Sequence, residues 1–354
     1  MKLAGYVLGL VSVRILASIL VLLGVLQIID LIEVTNQIVS RGLGFGGVVH
    51  YVLLRLPRLV DQAAPLGVLA GVIFAFMKLA GESAIVAMRA AGVSSYRLTA
   101  FVLPAALAVA LLDFVSVEVI APRTDPALQA WWRDTAPATQ KIEAVQRAFR
   151  VGGDLVLATT TDLSGHTLRD VRIYRRDAEG RLVERISSAE AQHERAGGWR
   201  LTKPRFVRLG PDGARSWDAD SMVWTGAFEP IDVQALFSPD QMLSAASAGR
   251  ALSGGGAERP PSYYATRVQR ALAHPLGAVV MLLLATPIAL ANFRSGQGGA
   301  FVTGSIAAGL AFLVVDGFFS AMGESGAVAP MFGAWAAPVM FAALGVTALL
   351  KLEG

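Results

Sequence analysis

The sequence predicts a polytopic α-helical membrane protein. Six transmembrane helices, three and three, flank an inserted β-jelly-roll-like domain. Three observations carry this reading. The 354 residues are 54% hydrophobic and 16% charged, with mean hydropathy +0.53, whereas a soluble domain carries about 25% charged residues. The charge is crowded: 37 of the 58 charged residues, 19 basic and 18 acidic, lie within 121–266. Outside that stretch the chain runs through long apolar segments, and a bilayer core needs about 20 such residues per helix.

The spans follow in order. Ile15–Ile29, Ala63–Met77 and Leu98–Leu112 are charge-free cores with apolar flanks. Ala271–Phe293, Ser295–Val315 and Ser325–Leu350 carry no charge beyond a possible one on His274. These give spans at about 11–33, 57–79, 98–120, 270–292, 297–319 and 329–350. The chain then divides into 1–120, a polar insert with its linker at 121–266, and 267–354. A cleaved leader at the N-terminus is the competing reading, but no clear small-x-small site precedes a polar start.

Orientation follows the excess of Lys and Arg in short cytoplasmic loops. With the N-terminus inside, Lys2, Arg14, Lys78, Arg89, Arg97, Arg294 and Lys351 are cytoplasmic, against Arg41, Arg55 and Arg58 outside. Both termini are expected in the cytoplasm and the insert outside, in the periplasm of a Gram-negative cell. Inside the insert, Asp154–Thr160, Val171–Arg175, Arg181–Ser187, Trp199–Leu209 and Ser221–Trp224 read as strands between the turns AEGR, AGGW and GPDGA. Ser244–Ser262, rich in Ser, Gly and Ala, reads as a linker with a short helix before it.

Several kinds of chemistry are excluded or disfavoured. Cysteine is absent, which removes disulfides, thiol nucleophiles and thiolate metal sites. None of the five lysines follows a glycine, so there is no phosphate loop for nucleotide hydrolysis. The four histidines form no HExxH, and no GxSxG elbow is present. GLGFGG (42–47) and SGGGA (253–257) do not follow strands and read as loops. No catalytic residue and no cofactor are expected.

Three sets of residues stand out. Asp113 and Glu118 in the third span and Asp316 in the fifth are intramembrane carboxylates, costly to place and suited to bundle contacts or a proton path. Arg55 and Arg58 open the second span three residues apart, on one helix face at the outer headgroup level, where guanidinium groups suit phosphates. GESAIVAMRAAG (81–92) lies between spans two and three. Ser83 is expected to cap a short helix there and Gly92 to end it, displaying Ile85, Val86, Met88 and Arg89 to a partner's groove.

PLGVLAGVIFAFMKLAGESAIVAMRAAGVS (65–94), VIAPRTDPALQAWW (119–132) and the run from HPLGAVVMLLLATPIALANFR (274–294) through VVDGFF (314–319) carry a family resemblance over essentially the whole chain. The chain resembles the LptF/LptG permease family of lipopolysaccharide export, and its VVDGFF end resembles the LptG side. The resemblance implies a non-catalytic subunit in the bacterial inner membrane. It implies an LptF-type permease as heterodimer partner, an LptB-type ATPase dimer below, and an LptC-type bitopic protein beside the first helix. Lipopolysaccharide would leave the outer leaflet of the inner membrane through the shared cavity and pass to a periplasmic bridge.

The resemblance also assigns residues. Segment 81–92 matches the helix that couples to the ATPase, through Glu82, Ser83, Ala84, Ile85, Met88 and Arg89. Family members read Ser-Glu where this chain reads Ser83-Ala84; its acid, Glu82, is displaced by two positions and points elsewhere on a helix, so the usual acidic contact is not expected in its usual form. Arg58 and, approximately, Arg133 match lipid-facing basic positions, with Arg55 adding to them. A basic position late in span one appears here as Gln27. Physical chemistry agrees, because withdrawing acyl chains costs about 0.8 kcal/mol per CH₂ and this chain carries no motor. Two other readings remain open: a proton-coupled secondary transporter working through Asp113 or Asp316, and a membrane-anchored periplasmic enzyme or scaffold.

Overall fold

The computed structural model describes residues 2–136, 145–160, 165–177, 179–194, 197–210, 213–226, 228–237, 242–291 and 298–353. The chain forms two compact units, one of Met1–Thr124 with Gln269–Gly354 and one of Asp125–Val268.

The first unit is helical. Helix α1 (Lys2–Ser40) and α2 (Gly44–Gly81) are followed by the short α3 (Ala84–Ala90) and by α4 (Ser95–Val115). A π-helical turn, Ser116–Ile120, joins α4 to α5 (Ala121–Asp134) without a break. The third span therefore continues well beyond 120 as helix. Pro122 explains the π turn: a proline ring clashes with the carbonyl four residues back, and the wider turn at 116–120 moves that carbonyl aside. After the insert come α8 (Pro261–Ala273), α9 (Gly277–Ala291), α10 (Gly298–Ser325) and α11 (Pro330–Glu353). Among the described residues five helices are long and apolar enough to cross a membrane, and six if α8 and α9, bent by 51°, count as one. This is the helix set the apolar runs predict.

Packing within this unit rests on small residues. Val7, Val11, Ile15 and Ile19 form one buried i, i+4 row of α1, while Leu16, Leu20, Ile28 and Ile32 on its other faces are exposed. The row meets α2 at Gly67 and Gly71, where a Cβ would lie 2.3 Å from Ile19 Cγ1 and 2.4 Å from Ile15 Cα. This is a GxxxG contact, which lets helix backbones approach closely in lipid. Gly333 of α11 meets the backbone of Gly323 in the same way.

Among its described residues the second unit is built on one antiparallel eight-stranded sheet. Its strands are β1 (Val145–Val151), β2 (Asp154–Thr160), β3 (Thr167–Arg176), β4 (Leu182–His193), β5 (Trp199–Thr202), β6 (Arg205–Gly210), β7 (Gly213–Asp218) and β8 (Ser221–Trp224). Neighbours run β1-β2-β3-β4-β5-β8, with β6 pairing both β4 and β7. Two expected strands, 154–160 and 221–224, are found with the expected bounds. The expected 199–209 strand is two strands, because Lys203 turns to φ 46° and Pro204 follows it. Pro211 and Asp212 of the GPDGA turn lie outside the described residues, and β6 and β7 pair on either side of them.

The Ser244–Ser262 segment is more than a linker. Helix α6 (Pro230–Phe237) precedes it as expected, but Ser244 also caps a helix inside it, α7 (Ala245–Leu252), accepting a bond from the Ser247 amide. Ala257 then exchanges both backbone hydrogen bonds with Arg150 at 2.8 Å, so the segment adds to the edge of β1.

The sheet and α6 enclose a core of Phe149, Ile173, Ile186, Trp199 and Leu201 with Phe228 and Leu236. Trp199 is fully buried and its indole N–H donates to the Phe228 carbonyl at 2.9 Å. Trp199→Ala is expected to cost about 3–5 kcal/mol, and limited proteolysis of the whole chain should then cut first within 145–237. Glu184, buried on β4, accepts from Arg175 at 3.1 Å and Arg208 at 2.9 Å, tying β3, β4 and β6. Burial pushes the nearby Asp154 carboxyl up, against the pull of Arg175 3.6 Å away.

In the β3–β4 turn, the Arg181 amide donating at 2.8 Å holds the half-buried Asp177 carboxyl below its ordinary value. Its folded value is thus depressed, so the turn gains stability above the unfolded carboxylate's pKa and loses it as pH falls through the lower folded value. Hydrogen exchange of the 179–184 backbone should show that loss in acid, and Asp177→Asn should remove most of the pH dependence.

Candidate functional site

The α2–α3–α4 connection is built locally. Helix α3 ends in a Schellman motif: Gly92, at φ 80°, donates to the Arg89 carbonyl and Val93 to the Met88 carbonyl. Gly92 therefore ends this helix as expected. Ser83 does not cap it. Ser83 sits at φ 56° and its side chain makes no cap bond, because the chain turns sharply there to leave α2. Ser94 instead caps α4, accepting from the Arg97 amide.

The faces of α3 also differ from expectation. Ile85 and Met88 point into the helical core, with 4% and 6% exposed, and so fasten the helix rather than present it. Val86, Ala87, Arg89 and Ala90 face outward, with Ala84 half-buried. Arg89 reaches Ser95 Oγ at 3.0 Å, bracing α3 against the start of α4. Exposed Glu82 pairs with Lys78 at 3.6 Å.

The arginines of α2 are half-buried. Arg55 is paired with Asp30 of α1 at 3.2 Å, and the Tyr51 hydroxyl donates to the same carboxylate at 2.6 Å. Part of its charge is thereby spent on holding α1 to α2. Arg58 lies about one turn further along α2. Arg133 is on the later part of α5, which belongs to the other unit, and its Nε donates to the Gln129 carbonyl at 3.1 Å. Gln27 of α1 is half-buried, with neither side-chain atom hydrogen-bonded to a described residue.

The intramembrane carboxylates gather more partners than the sequence reading assigned. Asp316 of α10 pairs with Arg270 of α8 at 3.0 Å. Asp113 of α4 is buried near Asp61 of α2 and His274, the residue at the α8–α9 bend. His274 Nε2 lies 3.0 Å from Asp61 Oδ1, and its Nδ1 lies 3.0 Å from Arg270. Asp61 and Arg270 were not picked out from the sequence. The signal was present for Asp61, an acid within the second apolar span. Arg270 sits at the border of the fourth, where a cation reads as an ordinary helix end.

Exposed apolar side chains recur at helical spacing on α10, at Ile306, Leu310, Val314 and Phe318. Such a face belongs against lipid, acyl chains or another helix.

Comparison with known proteins agrees with this architecture. The family model described as lipopolysaccharide export system permease LptF/LptG matches residues 5–351. The lipopolysaccharide export system permease protein LptG of Haemophilus influenzae is 22% identical over 344 residues, covering 92% of each chain. A match that runs the full length of both units, helical spans and β-sheet alike, places this chain in the LptF/LptG permease family.

Proposed function

We propose that the chain is the LptG-type half of a permease that lifts lipopolysaccharide from the outer leaflet of the bacterial inner membrane. An LptF-type subunit forms the other half, and an LptB-type ATPase dimer supplies the energy. The observation that carries the proposal is the α2–α3–α4 connection. A short helix is anchored from beneath by Ile85 and Met88 and leaves Val86, Ala87, Arg89 and Ala90 for a partner. A rigid mount of this kind can pass a partner's motion to α2 and α4, which a floppy loop cannot.

The rest of the reading follows from it. Lys2, Arg14, Lys78, Arg89, Arg97, Arg294 and Lys351, against Arg41, Arg55 and Arg58 on the opposite short loops, favour the cytoplasm for α3 and both termini and the periplasm for the β unit; Arg294 lies outside the described residues. The apolar faces of α1 and α10 suit acyl chains. Arg58, with a partly neutralised Arg55 on the same helix, suits the phosphates of a lipid headgroup, and Arg133 of the other unit offers the same chemistry by itself. An LptC-type bitopic protein would pack beside α1 and receive the lipid through the β unit.

Pull-down of the tagged, detergent-solubilised chain from its native membrane is expected to recover an ATPase subunit and a second six-span permease. A chain recovered alone, under conditions that preserve other such complexes, would overturn the proposal. A proton-coupled transporter is the second reading, favoured by buried Asp113. It predicts lipid movement that a protonophore stops and ATP depletion does not.

A further inference from the structure

We propose that Asp61, Asp113 and His274 form a binding site for one divalent metal ion of the zinc type inside the helical unit. The proposal rests on where these three side chains meet and does not depend on the identity of the cargo.

The three residues come from separate elements: α2, α4 and the α8–α9 bend. Each offers one ligand atom, and these atoms lie within 4.8 Å of one another. The ligands of a tetrahedral zinc, at about 2.0–2.2 Å from the metal, lie somewhat closer together than that, so a small inward movement closes the site.

Asp113 gives the second, independent observation. It is 1% exposed, and its Oδ1 has no hydrogen-bond partner among the described residues. A buried carboxylate oxygen without a donor is costly, and it is carried by a residue of the cluster. Arg270 makes no bond to Asp113 among the described residues: its Nη2 is held by Asp316 at 3.0 Å and lies 3.0 Å from His274 Nδ1, and its buried Nη1 has no partner. Three carboxylates thus gather around one guanidinium and one imidazole. With the imidazole neutral, a divalent cation supplies the positive charge the cluster lacks.

Donor chemistry selects the ion. One imidazole nitrogen with two carboxylate oxygens suits zinc and its first-row neighbours, not the all-oxygen shells of magnesium and calcium. Nε2 of His274 is the ring nitrogen that faces Asp61. Its Nδ1 lies 3.0 Å from Arg270, which can only donate, and 4.0 Å from Asp316, so Asp316 is the acceptor for the Nδ1–H of a metal-bound imidazole and Arg270 must then turn wholly to that carboxylate. Three protein ligands leave a fourth position open. The ion would pin α2 and α4 to the 51° bend between α8 and α9, whose short break holds Pro275 and Leu276.

The test uses the full chain purified in detergent without added metal, then equilibrated with Zn²⁺ and dialysed. About one zinc per chain is expected by elemental mass spectrometry. Asp113→Asn and His274→Gln should each weaken binding at least tenfold, since loss of an outer-shell partner alone costs about 10–100-fold. His50→Gln and His166→Gln should bind as the wild type does. Cobalt gives a second readout, independent of how well those variants fold: Co²⁺ in the wild-type chain should show the intense visible bands of a four-coordinate site. Because the chain has no cysteine, a sulfur-to-cobalt charge-transfer band in His274→Cys can arise only from ligation at position 274. A wild-type chain that retains no zinc and leaves cobalt with its aqueous spectrum would overturn the proposal and leave the cluster neutralised by protons alone. Retention unchanged in both Asp113→Asn and His274→Gln would overturn it equally.

Discussion

Gly71→Leu is expected to abolish folded, monodisperse protein. The Cβ of any residue placed there would sit 2.4 Å from Ile15 Cα and 2.6 Å from its amide nitrogen. Those are backbone atoms, so no change of rotamer relieves the overlap, and α1 must move off α2. Overpacking a tight core costs about 1–3 kcal/mol and sometimes more. Here the displaced helix also carries the buried row Val7, Val11, Ile15 and Ile19. In lipid no hydrophobic attraction holds two helices together, so parting that row from α2 forfeits the close packing on which their association depends. Gly71→Ala should be intermediate, lowering the melting temperature without eliminating the protein. Gly24→Leu is the control, because nothing lies within 4 Å of that position. Fluorescence-detected gel filtration with a thermal ramp reads all three. Wild-type melting in Gly71→Leu would mean that α1 and α2 do not touch at this point.

The pair at 67 and 71 also shows what the sequence reveals and what it hides. The six spans are legible because bilayer thickness sets a length and lipid sets a composition, so each span can be read by itself. The end of α3 is legible for a similar reason: Gly92 adopts a backbone angle that few other residues tolerate. Its start is not. Ser83 is a good capping residue by type, but the chain needs it for the turn out of α2. Helix α7 is hidden by its composition, since small residues read as linker until packing is seen. Strand β1, VQRAFRV, breaks strict alternation and is fixed by its partner β2.

The site residues divide along the same line. Intramembrane Asp113 and Asp316 are visible one at a time because each is out of place in an apolar run. That Asp113 meets Asp61 and His274, while Asp316 meets Arg270, depends on how four elements converge, and no window of sequence carries that. For α3 the segment was legible but its faces were not. Seven residues give too little periodicity to say which side chains turn inward, so Ile85 and Met88 looked available although the core takes them.

This division of α3 into an anchored and a presented face yields the second large effect. Val86→Asp is expected to uncouple the permease while leaving it folded. Val86 is 53% exposed, so a carboxylate there stays solvated in the isolated chain and costs little, as surface changes usually do. In the proposed complex the same carboxylate would be buried against the ATPase without a partner. A central interface residue of this kind is worth about 2 kcal/mol or more, and 1.4 kcal/mol is tenfold in affinity, so ATPase recovery should fall by roughly thirtyfold. Lipid-stimulated ATP turnover should fall with it. Ile85→Asp is the contrast, since its charge would enter the helical core and the protein itself should be lost. Ala84→Glu returns an acid to the position where the resemblance places one, and is expected to strengthen recovery of the ATPase. A Val86→Asp chain that retains both partner and turnover would show that the outward face of α3 touches no motor. The coupling surface would then have to be sought on the other cytoplasmic connections.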